Sequence, residues 1–186
     1  MEDAQAFIAR LVDTVVSNPR PVQTLPLRQC AGRVLARALV SPLSVPAHDN
    51  SAMDGFAFDG AQLVHGQMLD LHVVGTALAG RAWTGPVSRG ECLKVMTGAI
   101  LPSGLDTVVP QEFTTLSADR MQIPAEVVRR GDNRRLRGED LQQGAVALPA
   151  GEWLTPAALG LAASLGLESL DVRPRLRVAY LSTGDE

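Results

Sequence analysis

Between residues 41 and 144 the chain never settles: short apolar or alternating runs are closed, one after another, by glycine, proline, asparagine or aspartate. Punctuation of that density selects short strands joined by tight turns. The runs at 56–58, 69–74, 91–96, 107–109, 120–123 and 127–129 are the expected strands. Together they describe a compact antiparallel β domain, barrel- or sandwich-like, over residues 42–144. Pro42 and Pro46 set its start.

The flanks read differently. Residues 25–40 predict a short strand, one or two helical turns at 33–37 and a second strand. Beyond Gly144, residues 145–148 and 168–172 are strand-like. Between them Thr155 offers an N-cap, Pro156 a first helical position and Gly166 a stop around a helix over 157–165. Residues 22–41 and 145–174 are thus expected to form one β-rich domain interrupted by the other. The fold class is mainly β with a few helices (α+β). At the N-terminal end, Phe7, Ile8, Leu11, Val12, Val15 and Val16 recur at spacings of three and four, the apolar stripe of an amphipathic helix within residues 1–21. At the other end, residues 175–181 are nearly all apolar from Leu176 onward, apart from Arg177, as in a strand entering a buried parallel sheet, and the following loop is where open α/β sheets place ligands. Residues 175–186 therefore read as the first strand and loop of an incomplete α/β domain, and the 186 residues as a fragment of a longer protein.

Composition narrows the function classes. With 46% hydrophobic but only 4% aromatic residues, the core must be aliphatic. A net charge of -3 argues against a general nucleic-acid surface. No apolar run approaches the roughly 18 residues of a membrane span. Cys30 and Cys92 belong to no metal-spaced pair and read as small buried hydrophobes, consistent with a reducing, cytoplasmic setting. His48, His65 and His72 have no metal-ligand spacing either.

The residues with committed chemistry crowd into 46–58. Asp49, Asn50 and Ser51 are turn formers, and Gly55 frees the backbone just before the Phe56-Ala57-Phe58 alternation. Asp54 sits at that strand entrance, where a carboxylate can accept a proton, bind a divalent cation or cap a turn. Thr97-Gly98 forms a turn after the strand ending at Met96; it could hold an oxyanion or simply close a hairpin. Arg129-Arg130 and the run Arg134-Arg135-Leu136-Arg137 make the basic cluster, suited to phosphate or to balancing Glu139 and Asp140.

Pro46 followed by Asp49-Asn50-Ser51-Ala52-Met53-Asp54-Gly55, then Met96-Thr97-Gly98-Ala99, Arg137-Gly138-Glu139-Asp140 and Ser182-Thr183-Gly184-Asp185-Glu186, resembles in order and interval the molybdopterin molybdenumtransferase family, related to the E domain of gephyrin. The resemblance implies insertion of molybdate into adenylylated molybdopterin, with Mg²⁺ assisting and AMP released. It implies Asp54, Thr97, Asp140 and Glu186 as catalytic residues, the three carboxylates among them as metal ligands. Ser51, Gly98, Arg135, Arg137 and Asp49 are implied as substrate-binding. It further implies a homodimer, contact with the adenylyltransferase of the preceding step, and an N-terminal helix that packs with the later α/β domain. These 186 residues alone are expected to be inactive. Two other classes stay open: a different Mg²⁺-dependent phosphohydrolase or nucleotide-handling enzyme, and a non-catalytic scaffold or binding module. Molybdenum and tungsten are not distinguished by sequence.

Overall fold

The structure, a computed structural model, describes residues 3–17, 21–176 and 180. Glu186, and most of the strand expected over 175–181, lie outside the described residues. In chain order the elements are α1 (Ala4–Ser17), β1 (Gln23–Pro26), β2 (Leu39–Val40), β3 (Asn50–Ser51), β4 (Gly55–Phe58) and β5 (Leu69–Ala77). They continue with β6 (Glu91–Val95), β7 (Thr107–Pro110), β8 (Thr115–Ser117), β9 (Arg120–Ile123) and β10 (Arg134–Arg135). The last three are β11 (Val146–Leu148), α2 (Pro156–Ser164) and β12 (Ser169–Val172). The chain divides into two units, Met1–Pro42 with Gly144–Glu186, and Leu43–Gln143. As the punctuation requires, the architecture is mainly β, with two α-helices among the described residues.

In the first unit, β1 pairs antiparallel with β12 from Gln23↔Val172 to Pro26↔Ser169, and β2 pairs antiparallel with β11. Leu35, Leu154, Leu165 and Val172 are fully enclosed here. Helix α2 is bounded as its sequence requires: Thr155 Oγ1 accepts a hydrogen bond from the Ala158 N–H at 3.2 Å, Pro156 opens the helix, and Gly166 leaves it at φ +79°. Thr155→Ala should cost the unit about 1 kcal/mol, read as a lower urea midpoint.

The helical turn expected at 33–37 is found earlier, as a 3₁₀ turn at Leu27–Gln29. At 34–35 the backbone is extended, bridging Val34 to Trp153 and Leu35 to Val172, before a bend at 36–37, and the Leu35 and Ala36 N–H groups donate to the Glu152 and Asp171 carbonyls. Pairing with the returning chain satisfies those amides and buries Leu35, which a local helix would not.

The second unit is a six-stranded sheet in the order β7-β4-β6-β5-β9-β8. Alternation along β4 sends Phe56 and Phe58 to one face with Leu71, Cys92, Val109, Met121 and Ile123. Ala57 goes to the other with Ala77, Leu93, Val95, Leu101 and Val108. Both faces are therefore packed, and the filling is mostly aliphatic, with Phe56 and Phe58 on one face and Trp83 against the other.

The sheet departs from the expected antiparallel pattern once: β5 and β6 run parallel, His72↔Glu91 to Ala77↔Val95. The connection between them, residues 78–90, is long enough to cross over where a hairpin turn is not. The strand read at 127–129 does not form. Glu126 takes φ +67°, and the Arg129 N–H donates to the Asp132 side chain in a turn, so Val128 is buried from a loop. Helix α1 forms where its periodicity predicts, with Phe7, Ile8, Leu11 and Val12 at least half exposed.

Candidate functional site

Three of the chemistry-bearing loops meet on β3. On one side Ser51 and Asn50 pair with Arg134 and Arg135 of β10. On the other, the Ser51 N–H donates to the Ala99 carbonyl at 3.0 Å and the Gly98 N–H donates to the Ser51 carbonyl at 2.8 Å. The Leu101 N–H reaches the Asp49 carbonyl at 3.0 Å. Two residues of strand thus hold the threonine turn and the arginine loop side by side. Ser51 itself is buried, its hydroxyl donating to the Met53 carbonyl at 2.5 Å, which shapes the bend that carries Asp54.

Asp54 is the focus of that bend. Its Oδ1 accepts from the Thr97 amide at 2.7 Å and from the Thr97 hydroxyl at 2.6 Å, while its carbonyl receives the Gln111 N–H at 3.1 Å. Gly98, at φ +82°, supplies the left-handed step that folds Thr97 back toward the carboxylate. Both donors of Thr97 are spent on Asp54, so Thr97 acts on a ligand through the aspartate it orients. The two bonds, the hydroxyl's first, hold the Asp54 carboxyl below the usual carboxylate range. A lowered folded-state pKa means the ionised, doubly bonded form persists at neutral pH and is lost as pH falls through that lowered value. Thr97→Val should move the Asp54 pKa upward, measured by carboxyl ¹³C NMR titration. No change in the Asp54 titration would detach the two residues.

The arginine loop is locked from within. Asp49 Oδ1 accepts the Arg137 N–H at 2.8 Å, and Arg134 Nη1 lies 3.8 Å from Asp49 Oδ2. Arg135 donates through Nε to Glu139 Oε1 at 2.5 Å and through Nη2 to Asp140 Oδ1 at 2.6 Å. Glu139 also receives the Leu136 N–H at 2.7 Å. The Arg135 guanidinium holds the Glu139 carboxyl low, and the acids raise Arg135 in turn. Arg135 and Asp140, expected to face substrate and metal, are thus each other's partners. Gly138 and Asp140 are fixed by their N–H groups to the Pro46 and Val45 carbonyls.

Sequence reasoning passed over one residue of this construction. Asn133, at φ +57°, donates through Nδ2 to the Val108 carbonyl at 2.9 Å, while its own carbonyl takes the Ala52 N–H at 2.9 Å. Its position after Gly131-Asp132 is an ordinary turn signal, which says nothing of its anchor. Glu139 was read as an acid that the arginines could balance, and Arg135 does bond to it. Arg130, by contrast, is engaged away from this loop, donating to Asp106 at 2.7 Å.

Among the described residues no three histidine, cysteine, aspartate or glutamate side chains gather into a metal centre. Mg²⁺ does not need that many, since it commonly uses one or two carboxylates and completes its shell with phosphate and water. Asp54 offers a fitting donor: an ionised carboxylate whose Oδ2 has no hydrogen bond among the described residues. Glu186, the third expected carboxylate, lies outside the described residues.

Residues 1–166 match the family described as the MoeA N-terminal region (domain I and II). The chain is 41% identical over 170 residues to a Haemophilus influenzae protein named molybdopterin molybdenumtransferase, covering 90% of this chain and 42% of that protein. It is 40% identical over 180 residues to molybdopterin molybdenumtransferase 2 of Mycobacterium tuberculosis, covering 95% of this chain and 44% of that one. The crystal structure of a molybdopterin biosynthesis moeA protein from Pyrococcus horikoshii superposes with a TM-score of 0.75 at 31% identity, over 82% of this chain and 41% of that one. The chain spans less than half the length of these relatives.

Proposed function

The chain belongs to the MoeA family, and from that premise we propose that residues 49–54, 97–98 and 134–140 supply part of the site at which molybdate is inserted into adenylylated molybdopterin and AMP is released. The observation that carries this reading is the convergence on β3 of an ionised, doubly anchored Asp54 and a loop of three arginines. An anionic substrate needs both: cationic and amide donors to seat its oxygens, and an acid to hold what balances its charge.

Asp54 is the working carboxylate. Thr97 fixes its orientation, leaving Oδ2 toward a ligand, and Gly98 allows close backbone approach. Asp54, Asp140 once it is released from Arg135, and Glu186 as a third ligand would hold Mg²⁺, which would supply charge neutralisation for the departing adenylate. Arg137, whose backbone is pinned by Asp49, projects its side chain for substrate oxygens. Arg135 is withheld by its two acids until a competing anion or cation frees it. Ser51 keeps the bend in shape.

The same reading proposes that the whole protein works as a cytoplasmic homodimer, with the adenylyltransferase of the preceding step as a partner. The 186 residues by themselves do not turn over. The test is AMP release from adenylylated molybdopterin by the full-length protein and by this chain, with molybdate and Mg²⁺ added or withheld. The proposal expects release by the full-length protein that requires both additions, and none by this chain. Release that ignores molybdate, or hydrolysis of simple nucleotides, would replace the reading with a general phosphohydrolase; substrate binding by neither form would leave a scaffold.

A further inference from the structure

The 78–90 connection holds a feature that the family reading does not use. Leu78 and Arg81 bridge a turn, with the Arg81 N–H donating to the Leu78 carbonyl at 3.0 Å and Gly80 at φ +77°. Behind the turn the Trp83 indole lies against bare backbone. A Cβ built on Gly75 would meet two of its ring carbons at 2.3 Å, and one on Gly85 would meet the ring at 2.8 Å. Only glycine at these positions lets the ring lie there, so its placement is fixed by the chain on both sides.

Beside the ring is a cavity of about 360 Å³ lined by Thr76, Leu78, Arg81, Ala82, Trp83 and Thr84. Its polar lining is a guanidinium, two hydroxyls and an indole, with no carboxylate. Arg81 makes no ion pair among the described residues, unlike Arg120, Arg130 and Arg135 of the same unit. The Trp83 N–H is buried with no hydrogen-bond partner among the described residues, a donor that costs stability while unmet. A cationic fork and two hydroxyls favour a ligand rich in acceptor oxygens. The volume exceeds that of a bare tetrahedral ion and falls in the range of small-molecule pockets, and Leu78, Ala82 and the indole offer apolar wall.

We propose that this cavity is a binding subsite for a phosphorylated small organic molecule, with Arg81 and the Thr76 and Thr84 hydroxyls taking the phosphate and Trp83 packing on the organic part. It adjoins the candidate site: the Met96 N–H donates to the Ala77 carbonyl at 3.2 Å, and Ala79 Cβ lies 3.7 Å from where a Cβ on Gly98 would be. The claim concerns binding alone and stands or falls separately from the transferase reading.

Trp83 and Trp153 are the two tryptophans, so the 186-residue chain carrying Trp153→Phe reports on Trp83 alone. Its emission is titrated with ribose 5-phosphate, inorganic phosphate and ribose at constant ionic strength. A saturable change with ribose 5-phosphate, none with ribose, and a loss of affinity of roughly tenfold or more in Arg81→Gln is the expected result. Arg81→Lys should recover part of it. Inorganic phosphate binding as tightly as the sugar phosphate would overturn the role given to Trp83 and the organic part. No saturable response, equal response to ribose, or unchanged affinity in Arg81→Gln would overturn the proposal.

Discussion

Alanine at position 55 should destabilise the Leu43–Gln143 unit by about 3 kcal/mol, because the added methyl meets backbone rather than a yielding side chain. Gly55 opens β4, a strand paired on both edges, with Gly55 opposite Val95 on one side and Pro110 on the other. A Cβ there would lie 2.0 Å from the Val109 carbonyl oxygen, 2.9 Å from its carbon and 3.0 Å from Pro110 Cα. Neither strand can retreat alone, since Val108 and Val109 fill opposite faces of the sheet. The damage should also reach Asp54, the preceding residue, whose carbonyl holds the Gln111 N–H. Urea denaturation of the variant checks this; an unchanged midpoint would mean that β4 and β7 are not packed this closely.

In the full-length protein, Asp54→Asn should lower the rate of AMP release by about 10²- to 10³-fold, the usual cost of removing one preorganised electrostatic group from a reaction centre. Asparagine is nearly the same shape, and its amide oxygen can still accept both bonds from Thr97, so the turn should survive. What disappears is the charge, and with it the oxygen chemistry suited to Mg²⁺. The distinction matters because Asp54 has two roles in the structure, capping the Thr97 turn and presenting an ionised oxygen beyond it. A single-turnover assay with a matched urea curve separates them. An intact rate with intact stability would reduce Asp54 to a turn cap.

Much of the β architecture was legible because the relevant forces are local. The run at 120–123 alternates and is bounded by turns, and it forms β9 at those residues. Thr155, Pro156 and Gly166 bracket α2 through backbone chemistry that needs no tertiary partner. What escaped was decided at a distance. Nothing in residues 69–96 distinguishes a parallel from an antiparallel pairing of β5 with β6; the path of the connecting loop decides it. β8, three exposed residues at the sheet edge, has too little apolar signal to be seen. Val34 and Leu35 are drawn into extended pairing by partners more than a hundred positions away.

The candidate site divides along the same line. Residue types and order pointed to Asp54, Thr97 and the 134–140 loop, and β3 does bring those segments side by side. Bonding partners were not readable. That Thr97 gives both of its donors to Asp54, that Asp49 grips the amide of Arg137 across 88 positions, and that Arg135 is neutralised by Glu139 and Asp140 depend on side-chain directions fixed only by the assembled loops.

The most direct measurement is the anomalous signal of Mn²⁺, standing in for Mg²⁺, in crystals of the full-length protein soaked with AMP. If the three loops form one cation-and-oxyanion site, the peak falls about 2.0–2.3 Å from an Asp54 oxygen, with a phosphate oxygen in its shell. A well-occupied Mn²⁺ peak that contacts the AMP phosphate but lies beyond reach of Asp54 would contradict it.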